Sequence, residues 1–269
     1  MKLCFSTLVC PTWSLPQIVG AAAAHGLDGF DPRGIGAEID ITKLDIFDVD
    51  LEATLELLRR HNLRMPCLNT SIALMTPAPD RWQMMLDECL RYASLARRTA
   101  SPYLRIFGGE IPHDMTREES LAMAHRHLRQ LVKIASPHHC RVIIETHDDW
   151  STGQQMKALA GDFAESDVGV LWDIEHSFRK GEQPPGTVQA LGGRIVHVHI
   201  KDSVRRRGKN VPRLLGKGDL PLAEAIAALK SIGYQGWICL ETEKRWHPQE
   251  APDPEESLPQ FVKYMRAKW

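Results

Sequence analysis

Residues 141–173 read Arg-Val-Ile-Ile-Glu-Thr-His-Asp-Asp-Trp-Ser-Thr-Gly-Gln-Gln-Met-Lys-Ala-Leu-Ala-Gly-Asp-Phe-Ala-Glu-Ser-Asp-Val-Gly-Val-Leu-Trp-Asp. A short apolar run closes on Glu145, an amphipathic stretch with helical spacing follows over 153–164, and a second apolar run closes on Asp173. Continuous apolar runs of this length are what strands buried on both faces require, and a helix between two of them is the crossover that joins parallel neighbours. The same rhythm recurs on both sides. Strands are expected at 2–6, 29–31, 64–69, 103–107, 141–145, 169–173, 195–199 and 236–241, with helices at 15–25, 51–61, 80–98, 117–135, 153–164, 187–191, 222–231 and 254–268. Thr116 followed by Glu119 predicts a capping box, while Gly26 and Gly233 stand where a helix must stop.

Eight strand-helix units predict an α/β fold, a single (β/α)8 TIM barrel occupying residues 1–269 as one domain. An open doubly wound sheet would need a glycine-rich turn after its first strand to bring backbone against a pyrophosphate. Gly34-Ile35-Gly36 lacks the remainder of that pattern.

The chain has 269 residues, 33 Lys plus Arg against 34 Asp plus Glu, and a formal charge of −1. That balance supplies little of the overall field expected of a nucleic-acid or acidic-membrane binder, although a local basic cleft is still compatible with it. A hydrophobic content of 43% and a charged content of 25% are those of an ordinary globular protein, and no apolar window is long enough to span a bilayer. Cys4, Cys10, Cys67, Cys89, Cys140 and Cys239 are scattered with no C-x-x-C pair, so neither a disulfide framework nor a zinc ribbon is expected. The N-terminal Met-Lys-Leu-Cys-Phe-Ser turns polar near Pro11 without a cleavage pattern, and a cytoplasmic location is expected.

Barrel enzymes carry their chemistry at the C-terminal ends of strands. Four consecutive expected strands end in ligand-type residues: Glu145, Asp173, His199 and Glu241. Three carboxylates and an imidazole brought to one rim repel one another unless a cation neutralises them, and a divalent metal is the simplest such cation. Oxygen ligands with one imidazole suit Mn or Mg, with Co or Zn also compatible.

Glu145-Thr-His147, Asp173-x-x-His176, His197-x-His199-x-Lys201-Asp202, Gly216-Lys-Gly218-Asp219 and Leu-Glu241 resemble the motifs of the xylose-isomerase-like TIM barrels, a superfamily of sugar isomerases and epimerases that includes ketose 3-epimerases and inosose dehydratases. The resemblance implies that Glu145, Asp173, His199 and Glu241 bind one divalent metal. It also implies that Glu145 and Glu241 are the catalytic carboxylates, moving a proton beside a carbonyl through a metal-stabilised enediolate. His176 is then a substrate contact, with His147 at the same rim and Arg205, from the run Arg205-Arg206-Arg207-Gly208-Lys209, reaching a substrate oxygen. The expected partner is a small sugar or related polyhydroxy ketone, with no nucleic acid and no membrane, and a homo-oligomer is compatible with the pattern.

His197 shares a strand face with His199 and is expected to be a core histidine beneath the metal. Asp202 is expected either to orient an imidazole or to be an ordinary loop carboxylate. Asn69, Phe107 and Trp13 are expected near the pocket, and Lys244-Arg245-Trp246-His247 as its cover or as a subunit contact. Two other reaction types fit the barrel: a dehydratase of the inosose or dehydroshikimate type, and an apurinic-site endonuclease. The latter is disfavoured because its extra histidines and Asp-x-His are missing where strands three and four end and at 210–213. A non-catalytic sugar-binding role is the remaining alternative.

Overall fold

The computed structural model describes residues 1–269. Its order is β1 (Lys2–Ser6), α1 (Leu15–His25), β2 (Gly29–Asp31), α2 (Leu51–Arg60), β3 (Cys67–Ala73), α3 (Pro79–Thr99), β4 (Tyr103–Phe107), α4 (Arg117–Ala135), β5 (Arg141–Glu145), α5 (Gly153–Ala160), β6 (Val168–Asp173), α6 (Ile174–Arg179), α7 (Pro184–Leu191), β7 (Ile195–Ile200), the hairpin β8 (Asp202–Arg206) and β9 (Lys209–Arg213), α8 (Leu222–Ser231), β10 (Trp237–Leu240) and α9 (Pro254–Lys268). Eight strands form one sheet in the order β2-β1-β10-β7-β6-β5-β4-β3. The two ends of this order meet just ahead of β3. Arg64 bridges Gly29 in parallel, Phe30 N donates to Arg64 O at 3.0 Å, and Arg64 N donates to Asp28 O at 3.1 Å. The architecture is a TIM barrel.

Gly29 makes that join possible, because a Cβ there would lie 2.0 Å from the Arg64 carbonyl oxygen. The third strand starts later than expected, after Pro66, whose missing N–H cannot serve a ladder. It then runs on to Ala73 through a register shift between Asn69 and Ala73. Thr70 Oγ1 fills the gap, donating to Arg105 O at 2.8 Å and accepting from Ile72 N at 3.1 Å.

Two compact units are distinguishable, Met1–Pro66 with His197–Trp269, and Cys67–Val196. The first carries β2, β1, β10 and β7, with α1, α2, α8 and α9. Phe5, Phe30, Ile18, Leu51 and Phe261 are completely or almost completely buried in it, the first two with ring centroids 6.3 Å apart. In the second, Cys67, Ile143 and Leu171 form a fully buried cluster against which Tyr103 and Val196 pack. The capping box of α4 is present, Thr116 Oγ1 accepting from Glu119 N at 3.2 Å and Glu119 Oε2 accepting from Thr116 N at 2.8 Å. No helix is long and apolar enough to cross a membrane.

Candidate metal and substrate site

In the second unit, parallel pairing of β4 with β5 sets Phe107 beside Glu145 and Arg105 beside Ile143. Glu145 closes β5 almost completely buried, and its Oε2 lies 3.2 Å from Nε of Arg105, itself only 1% exposed. Sequence reading missed Arg105. Its only signal is a charge inside the apolar run Tyr-Leu-Arg-Ile-Phe, which a buried strand tolerates only with a partner. The guanidinium also sits 3.9 Å from the Phe107 ring centre and donates a long hydrogen bond, 3.4 Å, to Asn69 Oδ1.

Asp173 ends β6 with no exposed surface. Its backbone is held by Thr146, whose Oγ1 accepts from Asp173 N at 2.8 Å and donates to Asp173 O at 3.1 Å. Asp173 Oδ1 accepts from His176 N at 3.1 Å and so caps α6, a short helix outside the expected set. That helix brings the His176 ring back over the strand end, with Nε2 3.9 Å from Asp173 Oδ2. The His147 ring lies 4.2 Å from that of His176 and 4.8 Å from that of Phe107. Its Nδ1 is 2.7 Å from Oδ1 of Asp148. Burial pushes the Asp148 carboxyl up, but the hydrogen bond and charge of His147 more than reverse this and hold it below the usual range.

In the first unit, His199 lies on β7 with no exposed surface and Glu241 follows β10; His199 Nδ1 is 2.9 Å from Glu241 Oε2. Lys201 Nζ lies 3.6 Å from the same carboxylate oxygen and 2.7 Å from Glu243 Oε1. His197 is a core histidine, Nε2 standing 2.5 Å from Oδ2 of the buried Asp31.

Asp202 is a loop carboxylate. Its Oδ2 accepts from Gly216 N at 2.8 Å and Gly218 N at 2.9 Å, and its Oδ1 from Ser203 N at 2.9 Å and Leu220 N at 3.4 Å. It therefore fastens the Gly216–Asp219 loop instead of orienting an imidazole. Burial leaves its carboxyl raised in spite of these four donors. Arg205 stands exposed on β8, its backbone N donating to Asp219 Oδ2 at 3.1 Å, and the basic run containing it is the tip of the β8–β9 hairpin. Arg245 reaches the carbonyls of Gly36 at 2.7 Å and Ala37 at 2.9 Å, while Trp246 is 53% exposed.

One donor atom from each of Glu145, Asp173, His199 and Glu241 lies within 4.8 Å of the others, all four residues being buried. Three carboxylates and an imidazole gathered so closely away from solvent are a donor set suited to a hard or borderline dication.

The family described as xylose isomerase-like TIM barrel matches residues 19–268. The chain belongs to that family. Solved structures of similar fold include the probable 3-DHS dehydratase AsbF from Bacillus anthracis, 19% identical with a TM-score of 0.81 over 99% of each chain. The IolI protein with a bound zinc atom is 20% identical with a TM-score of 0.80, over 100% of this chain and 96% of that one. A D-allulose 3-epimerase from Methylomonas sp. is 19% identical with a TM-score of 0.80, over 100% of this chain and 98% of that one. The family's fold is thus spread over proteins named for epimerisation and for dehydration.

Proposed function

We propose that the chain, acting as one domain over 1–269, is a divalent-metal-dependent isomerase or epimerase of a small sugar or related polyhydroxy ketone. The convergence of Glu145, Asp173, His199 and Glu241 donor atoms within 4.8 Å carries this reading. These four residues would hold Mn, Mg, Co or Zn, and the zinc in the IolI structure is consistent with that. A bound dication supplies Lewis acidity to a carbonyl oxygen and its neighbouring hydroxyl, which makes the adjacent carbon–hydrogen bond acidic.

The chain's own residues then do the proton transfer. One of Glu145 and Glu241 removes the proton from the carbon beside the carbonyl. In an epimerisation the other delivers a proton to the opposite face; in an isomerisation a single carboxylate returns it to the neighbouring carbon. Arg105 grips the Glu145 carboxylate and Lys201 lies against that of Glu241, which restricts the orientation in which each base is presented. His176 and His147 supply ring nitrogens for substrate hydroxyls. The exposed side chain of Arg205 is left outside this set.

A second reading, dehydration, is favoured by the paired imidazoles of His147 and His176, 4.2 Å apart at the strand ends. Protonation of a departing β-hydroxyl by one of them would convert the same carbanion chemistry into loss of water. Incubating metal-loaded protein with a panel of ketoses and cyclic polyhydroxy ketones in D2O tests both readings. Deuterium incorporated beside the carbonyl without loss of water is the expected result, and a product lighter by one water selects the dehydratase. Binding without exchange or mass loss on any member of the panel overturns the enzymatic assignment.

A further inference from the structure

Beneath the strand-end cluster lies a second group of metal-competent side chains that the proposed reaction does not use. Cys4, Asp31, His197 and Cys239 all belong to the first unit and come one each from β1, β2, β7 and β10, four successive neighbours in the sheet. Pairing explains why they meet. Cys4 is in register with Cys239, Ser6 with Asp31, and Trp237 with His197, so four barrel strands turn these side chains to one interior point. None of the four has exposed surface, and one donor atom from each lies within 4.8 Å of the others.

We propose that Cys4, Asp31, His197 and Cys239 form a closed, four-coordinate site for a zinc-class dication, chemically distinct from the oxygen-rich group at the strand ends. Two sulfurs, one imidazole nitrogen and one carboxylate oxygen are the soft-to-borderline donors of structural zinc sites, and four protein ligands leave no position for water or substrate. Tetrahedral bonds of about 2.0–2.3 Å place donor atoms about 3.3–3.8 Å apart, so the widest separations contract by about 1 Å while His197 Nε2 and Asp31 Oδ2, hydrogen-bonded at 2.5 Å, move apart by about 1 Å as the metal replaces their bond. Occupancy expels one proton from each thiol, forms two metal–sulfur bonds, and uses Asp31 as carboxylate and His197 as neutral imidazole. Because each thiol gives up a proton to the solvent on binding, uptake is favoured by rising pH. With no exposed ligand, the ion enters while the chain folds and then resists chelators.

The test is to produce the full chain in cobalt-supplemented minimal medium, strip exchangeable metal with a chelator, and record metal content and the absorption spectrum. One cobalt per chain is expected to survive chelation, with a near-ultraviolet thiolate-to-cobalt charge-transfer band and the strong visible bands of tetrahedral cobalt. Cys4→Ser with Cys239→Ser is expected to retain none and to lose the band. Asp173→Asn with Glu241→Gln is expected to keep both, since the strand-end donors contain no sulfur. A folded wild-type protein that lacks the sulfur band, whether or not it keeps cobalt, overturns the proposal even if the cysteine variant fails to fold. Because the band reports sulfur ligation alone, loss of strand-end metal or of turnover leaves this result unaffected.

Discussion

At the scale of single residues, the candidate site is a balance of buried charges. Glu145 with Arg105, and Glu241 with His199 and Lys201, are ionic groups with almost no access to water, and removing one partner of such a group strands the other. Arg105→Met is therefore expected to destabilise the fold by about 3–5 kcal/mol, read from urea midpoints of the two proteins at equal slope. If Glu145 and Glu241 are the proton-transfer groups, Glu145→Gln and Glu241→Gln each lower kcat by about 10²–10⁴-fold. In an epimerase, deuterium exchange on one face of the substrate should survive one substitution better than the other. The four strand-end donors were legible because each terminates an apolar run, and a charge there has no packing reason to exist. Arg105 was not, because its sense depends on a carboxylate from the neighbouring strand, a pairing that no local pattern encodes. Asp202 was legible as a functional-looking motif residue but not in its role, since the backbone donors that claim it arrive from Gly216–Leu220.

Among the elements, the long amphipathic helices and most strands could be read from periodicity and caps alone, whereas the hairpin and α6 could not. Arg205–Lys209 looks like a solvated charge run, yet Arg207 and Gly208 adopt φ of 48° and 81°, the paired left-handed conformations of a tight two-residue hairpin turn. α6 is too short to show a periodicity of its own, and its cap, Asp173 Oδ1, belongs to a residue whose pattern already points to a ligand. The α4 cap gives a clean test: Thr116→Ala is expected to cost about 1 kcal/mol in thermal or denaturant unfolding. Hydrogen bonds from Thr116 N and Oγ1 hold the Glu119 carboxyl below the usual range. Its contribution is therefore present above the ordinary glutamate pKa and lost as pH falls through the lower folded value. The stability difference between wild type and Glu119→Gln should accordingly shrink to nothing in acid. Gly218→Ala tests the Asp202 anchor, since the added Cβ would fall 1.9 Å from Asp202 Oδ1. A loss of about 1–3 kcal/mol is expected from the forced displacement of the loop, measured by calorimetry.

For the whole molecule, a ligand that binds only the folded chain adds stability by mass action. If the strand-end residues hold a dication, free metal at about one hundred times its dissociation constant should add about 2.7 kcal/mol, and the rise in melting temperature should disappear in Glu145→Gln/Asp173→Asn protein. The join between β2 and the chain before β3 bears on durability in a different way. A nearly closed set of strands leaves little unpaired rim to which another polypeptide can add, so self-association of the cross-β kind begins where the set is least fastened. The three-residue stave Gly29–Asp31, fastened to Arg64 through a glycine whose replacement would push a Cβ against the Arg64 carbonyl, is the natural place for it to begin. Amide hydrogens along this seam should exchange sooner than those of the neighbouring staves, and a bulkier residue at Gly29 should turn a long-lived fold into one that gels on mild heating.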